Sequence, residues 1–152
     1  MSELAAAAPP LGVPVSRYRH RVPFYETDAM GVVHHANYVR YLELARIQWM
    51  DEQHRPYRAY VGEGLHFATT HLELDYVRGV RFDEIVEIAV WLAWVRGASL
   101  RMEYALSVAG SEVARAASEH AMVDTSGRVR RIPEPQRRAM ASIAAERAAG
   151  TP

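Results

Sequence analysis

The chain has 152 residues, 49% of them hydrophobic, enough for one domain with a real core. Its formal net charge is zero, so the total points to no nucleic-acid partner and opposes self-association little. It has no cysteine, which excludes disulfide scaffolds, thiolate metal sites and cysteine nucleophiles and fits a reducing cytoplasm, the expected location.

Residues 1–15 are rich in Ala and Pro, with neither a basic start nor a sustained apolar run. They read as a disordered tail and not as a signal peptide. Nowhere does the chain approach the ~20 apolar residues of a membrane-spanning helix. Arg17 to Phe24 alternates like a first strand, closed by a turn from Thr27-Asp28 to Gly31. From about Ala36 to Gln53 the period becomes helical: Tyr38, Tyr41, Leu42, Ala45 and Trp49 share a face, and Leu44 and Ile47 widen it. Asn37 is the expected N-cap, and Pro56 closes the region. A helix apolar over so much of its surface is expected to be wrapped by a sheet.

Beyond Pro56 the period is two. His66 to Val77 alternates, Glu84 to Val95 is apolar enough to be central, and Leu100 to Val108 alternates again. A hairpin turn at Ala109-Gly110-Ser111 leads into a last strand, Glu112 to Asp124. After Pro133, Glu134 to Ala149 reads as a charged, Ala-rich peripheral helix. The expected fold is therefore α+β: a five-stranded antiparallel sheet, its last four strands joined by short turns, curled around one long helix. Residues 16–133 form one domain, and residues 134–152 a peripheral helix and tail.

The stretch from Tyr25 to Tyr38 carries the chemistry. An acidic residue, Asp28, precedes a glycine turn, and His34 and His35 fall just before the long helix. Unpaired N–H groups at a helix N-terminus favour developing negative charge, so the layout could polarise a carbonyl beside a carboxylate. Taken alone, Asp28 is also an ordinary turn former, and the histidines ordinary capping residues. Adjacent histidines on an extended segment point to opposite sides, and no further histidine stands at a metal-motif spacing, so no metal is expected. Serine-hydrolase elbows, P-loops and dinucleotide fingerprints are absent from the sequence.

Phe24-Tyr25-Glu26-Thr27-Asp28-Ala29-Met30-Gly31-Val32-Val33-His34-His35-Ala36-Asn37-Tyr38, with Tyr41-Leu42-Glu43 and Ala45-Arg46 after it, closely resembles hotdog-fold acyl-CoA thioesterases. The branch is the 4-hydroxybenzoyl-CoA thioesterase type, nearest its Tol–Pal-associated bacterial members. The likeness runs on through Glu73-Leu74-Asp75-Tyr76, Arg81-Phe82-Asp83-Glu84 and Arg131-Ile132-Pro133-Glu134. It implies a hotdog fold and an acyl-CoA substrate, with no cofactor. Asp28 would be the catalytic carboxylate and His35 a recurrent site residue. Gly31, Val33, His34, Asn37 and Tyr38 would lie against the substrate, and His34 stands where many relatives have Tyr. Asp28 could attack the thioester directly or deprotonate water. Tyr38 and Tyr41 are expected in the pocket wall, and Arg78, Arg81 and Arg96 are candidates for coenzyme A phosphates. The resemblance also implies a homodimer or homotetramer with a shared site, Asp28 of one subunit near the helix entry of the other. Two rivals are a thioesterase of the same fold acting on carrier-protein-bound chains and a catalytically weak hotdog binding protein.

Overall fold

The computed structural model describes residues 4 and 8–147. Part of the expected N-terminal tail, and the last residues of the expected C-terminal helix, lie outside them. The chain forms β1 (Ser16–Arg21), a 3₁₀ turn (Phe24–Glu26), α1 (Asn37–Gln53), α2 (Tyr57–Gly62), β2 (Leu65–Tyr76), β3 (Ile85–Val95), β4 (Ser99–Val108), β5 (Ser111–Asp124) and α3 (Glu134–Ile143). The five strands make one antiparallel sheet in the order β1-β3-β4-β5-β2.

α1 lies on this sheet along a stripe of Tyr38, Tyr41, Leu42, Ala45 and Trp49, all buried. The spacing is one helical face, and each large side chain so covered contributes roughly 1.5–3 kcal/mol. The stripe is narrower than the sequence implies. Leu44 is 44% exposed and Val39 42%, both on the open side. α1 packs on β1 and β3. β3, expected to be central, is flanked by β1 and β4 and is buried nearly throughout its middle, which explains its unbroken apolar run.

Four local expectations change. β1 stops at Arg21, because Pro23 cannot donate to the ladder and Phe24 opens the 3₁₀ turn. Pro56 does not merely end a helix; it caps the start of α2, six residues long and too short to show a period. β2 and β3 are not joined by a tight turn: β4 and β5 lie between them, and residues 77–84 cross from one edge of the sheet toward the other. α3 ends at Ile143, where Ala144 turns extended and the amides of Ala145 and Glu146 reach the carbonyls of Leu92 and Ala93. Those carbonyls sit at the bulge in β3, so the last turn caps groups the bulge leaves unpaired. Among the described residues no helix is long and apolar enough to cross a membrane.

Candidate active site

Glu26 anchors the segment between β1 and α1. Its carboxylate is buried, accepts the Tyr41 hydroxyl at 2.6 Å and lies 2.8 Å from His20 Nε2. A buried carboxylate persists only when so partnered. Burial, and after it the bond to Glu26, pushes the Tyr41 phenol well above its usual range, so Tyr41 stays a donor. The Glu26 carbonyl accepts the His34 amide at 2.8 Å and the Asn37 side-chain amide at 2.9 Å. One residue thus ties the turn to the helix entry.

Asp28 sits two residues on, in a tight turn. Its amide donates to Val32 O, its carbonyl accepts Gly31 N, and its Oδ1 accepts Met30 N at 2.8 Å. Gly31 takes φ +78°, a conformation that any other residue would occupy with strain. Oδ2 has no protein donor among the described residues. The chain then runs extended: Val32 bridges Arg81, and Val33 N donates to Val80 O at 2.7 Å. The crossover 77–84 is therefore one wall of the site. Gly79 permits this approach, since a Cβ there would stand 2.7 Å from Val32 Cγ1.

The entry to α1 is capped without Asn37. Ala36 is the N-cap, and its amide donates to His34 Nδ1 at 3.1 Å. The amides of Asn37 and Tyr38 go to the carbonyls of His34 and His35. The His35 amide has no acceptor among the described residues. The two imidazoles stack at 4.1 Å, and Tyr76 donates its hydroxyl to His35 O at 3.0 Å.

Asp28, Met30, Val33, His35, Tyr38 and Tyr76, together with Arg78 and Gly79, line one cleft of about 290 Å3. Of the residues expected at the site, the fold thus gathers Asp28, Val33, His35 and Tyr38. Gly31 shapes the turn without lining the cleft. His34 faces the helix entry as a cap, and Asn37 is buried against Glu26, one position inside the helix and not at its cap. Tyr41 is buried on Glu26 and not in the wall; Tyr76 takes that place. Arg78 lines the cleft, the Arg81 guanidinium lies beside Gly31, and Arg96 stacks over Trp94 at 3.9 Å. Asp28 and the helix entry of one chain line the same cleft. Among the described residues no three His, Asp or Glu side chains stand close enough to hold a metal ion.

Glu26 and Tyr76 escaped the sequence reading of the site. Glu26 carries no periodic signal, and Tyr76 looks like any strand residue until the fold brings it over the helix entry.

Residues 22–141 match the family described as the thioesterase-like superfamily. The chain belongs to that family. It is a thioester hydrolase by fold and by relationship. A Thermus thermophilus protein of solved structure, TT1821, superposes with a TM-score of 0.82 at 32% identity, covering 88% of this thioesterase and 100% of that chain. A protein of Aquifex aeolicus named provisionally as an esterase is 33% identical over 77% of this chain and 91% of its own length. The acyl-CoA thioester hydrolase YbgC of Escherichia coli O157:H7 is 34% identical over 55% of this chain and 63% of its own.

Proposed function

We propose that this thioesterase hydrolyses acyl-CoA to free acid and coenzyme A, with Asp28 as the catalytic carboxylate. One observation carries the reading: Asp28, with one carboxylate oxygen free of protein donors, and His35, whose amide has no acceptor among the described residues, line the same cleft before α1. The thioester oxygen would accept the His35 N–H as its negative charge develops, aided by the helix dipole. A donor so placed is typically worth about 2.7–4 kcal/mol of barrier. Two routes balance. Asp28 attacks the carbonyl carbon, the C–S bond breaks, and water then cleaves the mixed anhydride and restores the carboxylate. Alternatively Asp28 takes a proton from water as it attacks, and returns that proton to the departing thiolate.

Two relatives support coenzyme A as the carrier: YbgC, by its name, and a thioesterase from Thermus thermophilus solved in complex with coenzyme A and Zn. The latter is 28% identical and superposes with a TM-score of 0.75 over 91% of this chain and 99% of its own. Arg78, which lines the cleft, would meet a phosphate of coenzyme A. We further propose a cytoplasmic homodimer as the smallest unit. β2 leaves one edge unpaired over 12 residues that contain neither proline nor lysine.

Turnover of matched acyl groups on coenzyme A and on acyl-carrier protein tests the reading. Faster hydrolysis of the coenzyme A series is expected. A preference for the carrier protein would reassign the substrate, and no turnover of either would leave a binding protein.

A further inference from the structure

Among the described residues, every backbone amide from Val33 to Tyr38 has an acceptor except that of His35. Val33 N donates to Val80 O at 2.7 Å, His34 N to Glu26 O at 2.8 Å, Ala36 N to His34 Nδ1 at 3.1 Å and Asn37 N to His34 O at 2.9 Å. The amide of Tyr38 reaches His35 O only at 3.4 Å. The donor left over is the one that a thioester oxygen in the cleft would take. Such a donor lowers a barrier only when it already points at the place where charge develops. Its own peptide makes no bond through the N–H, so the bonds on neighbouring peptides must hold its direction.

The peptide after His35 is held from the sheet. Its carbonyl accepts the Tyr76 hydroxyl at 3.0 Å, closer than the Tyr38 amide comes. Tyr76 ends β2 and is rooted there. It stands opposite Ala114, and the next two amides, of Val77 and Arg78, both donate to Val113 O, at 2.9 and 3.2 Å. Val113 and Ala114 are fully buried. The Tyr76 ring packs edge to face on Tyr38 at 4.9 Å, and both rings line the cleft. The other bonds that hold the segment come from residues 26–37 and from the crossover at Val80; among the described residues only that of Tyr76 comes from a strand of the sheet. Partial burial raises the Tyr76 phenol above its usual range, so it stays a donor at neutral pH. A phenol has one hydrogen to donate. Committed to His35 O, that hydrogen is not offered to the substrate, and Tyr76 is no oxyanion donor itself.

We propose that Tyr76 is a positioning residue for thioester hydrolysis: its hydroxyl, by holding the His35 carbonyl, fixes the backbone at His35 and with it the direction in which the His35 amide meets the developing oxyanion. The proposal rests on the acyl-CoA thioesterase reading above. The bond lies within one chain and needs no access from outside, so it holds whether or not a second copy covers the β2 edge.

The test is Tyr76→Phe in the intact protein, which keeps the ring and its packing on Tyr38 and removes only the hydroxyl. On an acyl-CoA that the wild type turns over, kcat should fall about tenfold, part of the roughly 100- to 1,000-fold that outright loss of such a donor costs. KM should change by less than about twofold, because the lost alignment matters in the transition state and not in the bound substrate. A rise in KM with kcat kept would make Tyr76 a plain wall of the cleft and overturn the proposal, as would unchanged kinetics. Those outcomes leave the thioesterase reading intact; a wild type that hydrolyses no acyl-CoA would end that reading and the proposal with it. The His35 amide resonance of isotope-labelled protein reads the same tie without turnover. One sharp resonance in the wild type that broadens or splits in Tyr76→Phe, while the amides of β4 and β5 stay sharp, supports the proposal. A resonance equally sharp in both proteins refutes it.

Discussion

Tyr41 donates its phenol hydrogen to the Glu26 carboxylate at 2.6 Å, two residues before Asp28 and within the first turns of α1. This contact joins the hydrophobic core to the catalytic turn. The Glu26 carbonyl in turn accepts from His34 and Asn37, so the position of the helix entry relative to Asp28 depends on where Tyr41 and His20 hold Glu26.

Tyr41→Phe should therefore lower unfolding stability by about 1–3 kcal/mol, the cost of leaving a buried acceptor short of a donor. It should also reduce kcat more than it raises KM, because the turn and the amide of His35 lose their common anchor. Urea denaturation and steady-state kinetics on one preparation check both. Unchanged stability would show that Glu26 does not depend on the phenol.

Asp28→Asn should reduce thioester hydrolysis by about 100-fold or more, the range for loss of a positioned base or nucleophile. The fold should survive, because an amide oxygen can still accept Met30 N and keep the turn. Circular dichroism of the variant verifies the fold. Near-normal kcat in a folded Asp28→Asn protein would end the proposed mechanism.

Acid should destabilise the protein through His120, which is buried, and His54, which is half-buried. Burial lowers the pKa of His120 to about 3 and that of His54, which meets the Tyr60 hydroxyl at 2.6 Å, to about 4. Both values lie below the ~6.5 of an unfolded histidine. The unfolded chain then binds more protons, so stability is complete above about pH 6.5 and falls as pH drops toward 4 and 3. For His120 the slope approaches about 1.4 kcal/mol per pH unit. Denaturant midpoints between pH 7 and pH 4 measure it, and His120→Asn should remove that share of the slope whatever its absolute stability. A slope identical in the variant would mean that His120 is not held neutral.

Light scattering at micromolar concentration should give a dimer. A strand edge of 12 residues, with Leu72, Val39 and Leu44 exposed nearby, is costly to leave open, and a two-fold axis would pair two such edges. A stable, fully active monomer would refute it.

Much of this molecule was legible in its residues. The period of 3.6 in Tyr38, Tyr41, Leu42, Ala45 and Trp49 specified α1, and the alternation and apolar runs after Leu65 specified four strands, because burial on one face or two writes itself directly into local sequence. Asp28, Gly31 and the histidines were marked by turn chemistry within a dozen residues. What the sequence left open was long-range. The strand order that sends residues 77–84 across the sheet brings Val80, Gly79 and Tyr76 to the helix entry, and no local pattern encodes that pairing. The same holds for Asn37, which looks like a cap and is instead recruited by the Glu26 carbonyl eleven residues earlier. Local periodicity determines which face of each element is buried; only tertiary packing decided which carboxylate became a buried anchor, Glu26, and which kept an oxygen free in a cleft, Asp28. The difference is one of desolvation and partners, and those are properties of the assembled fold.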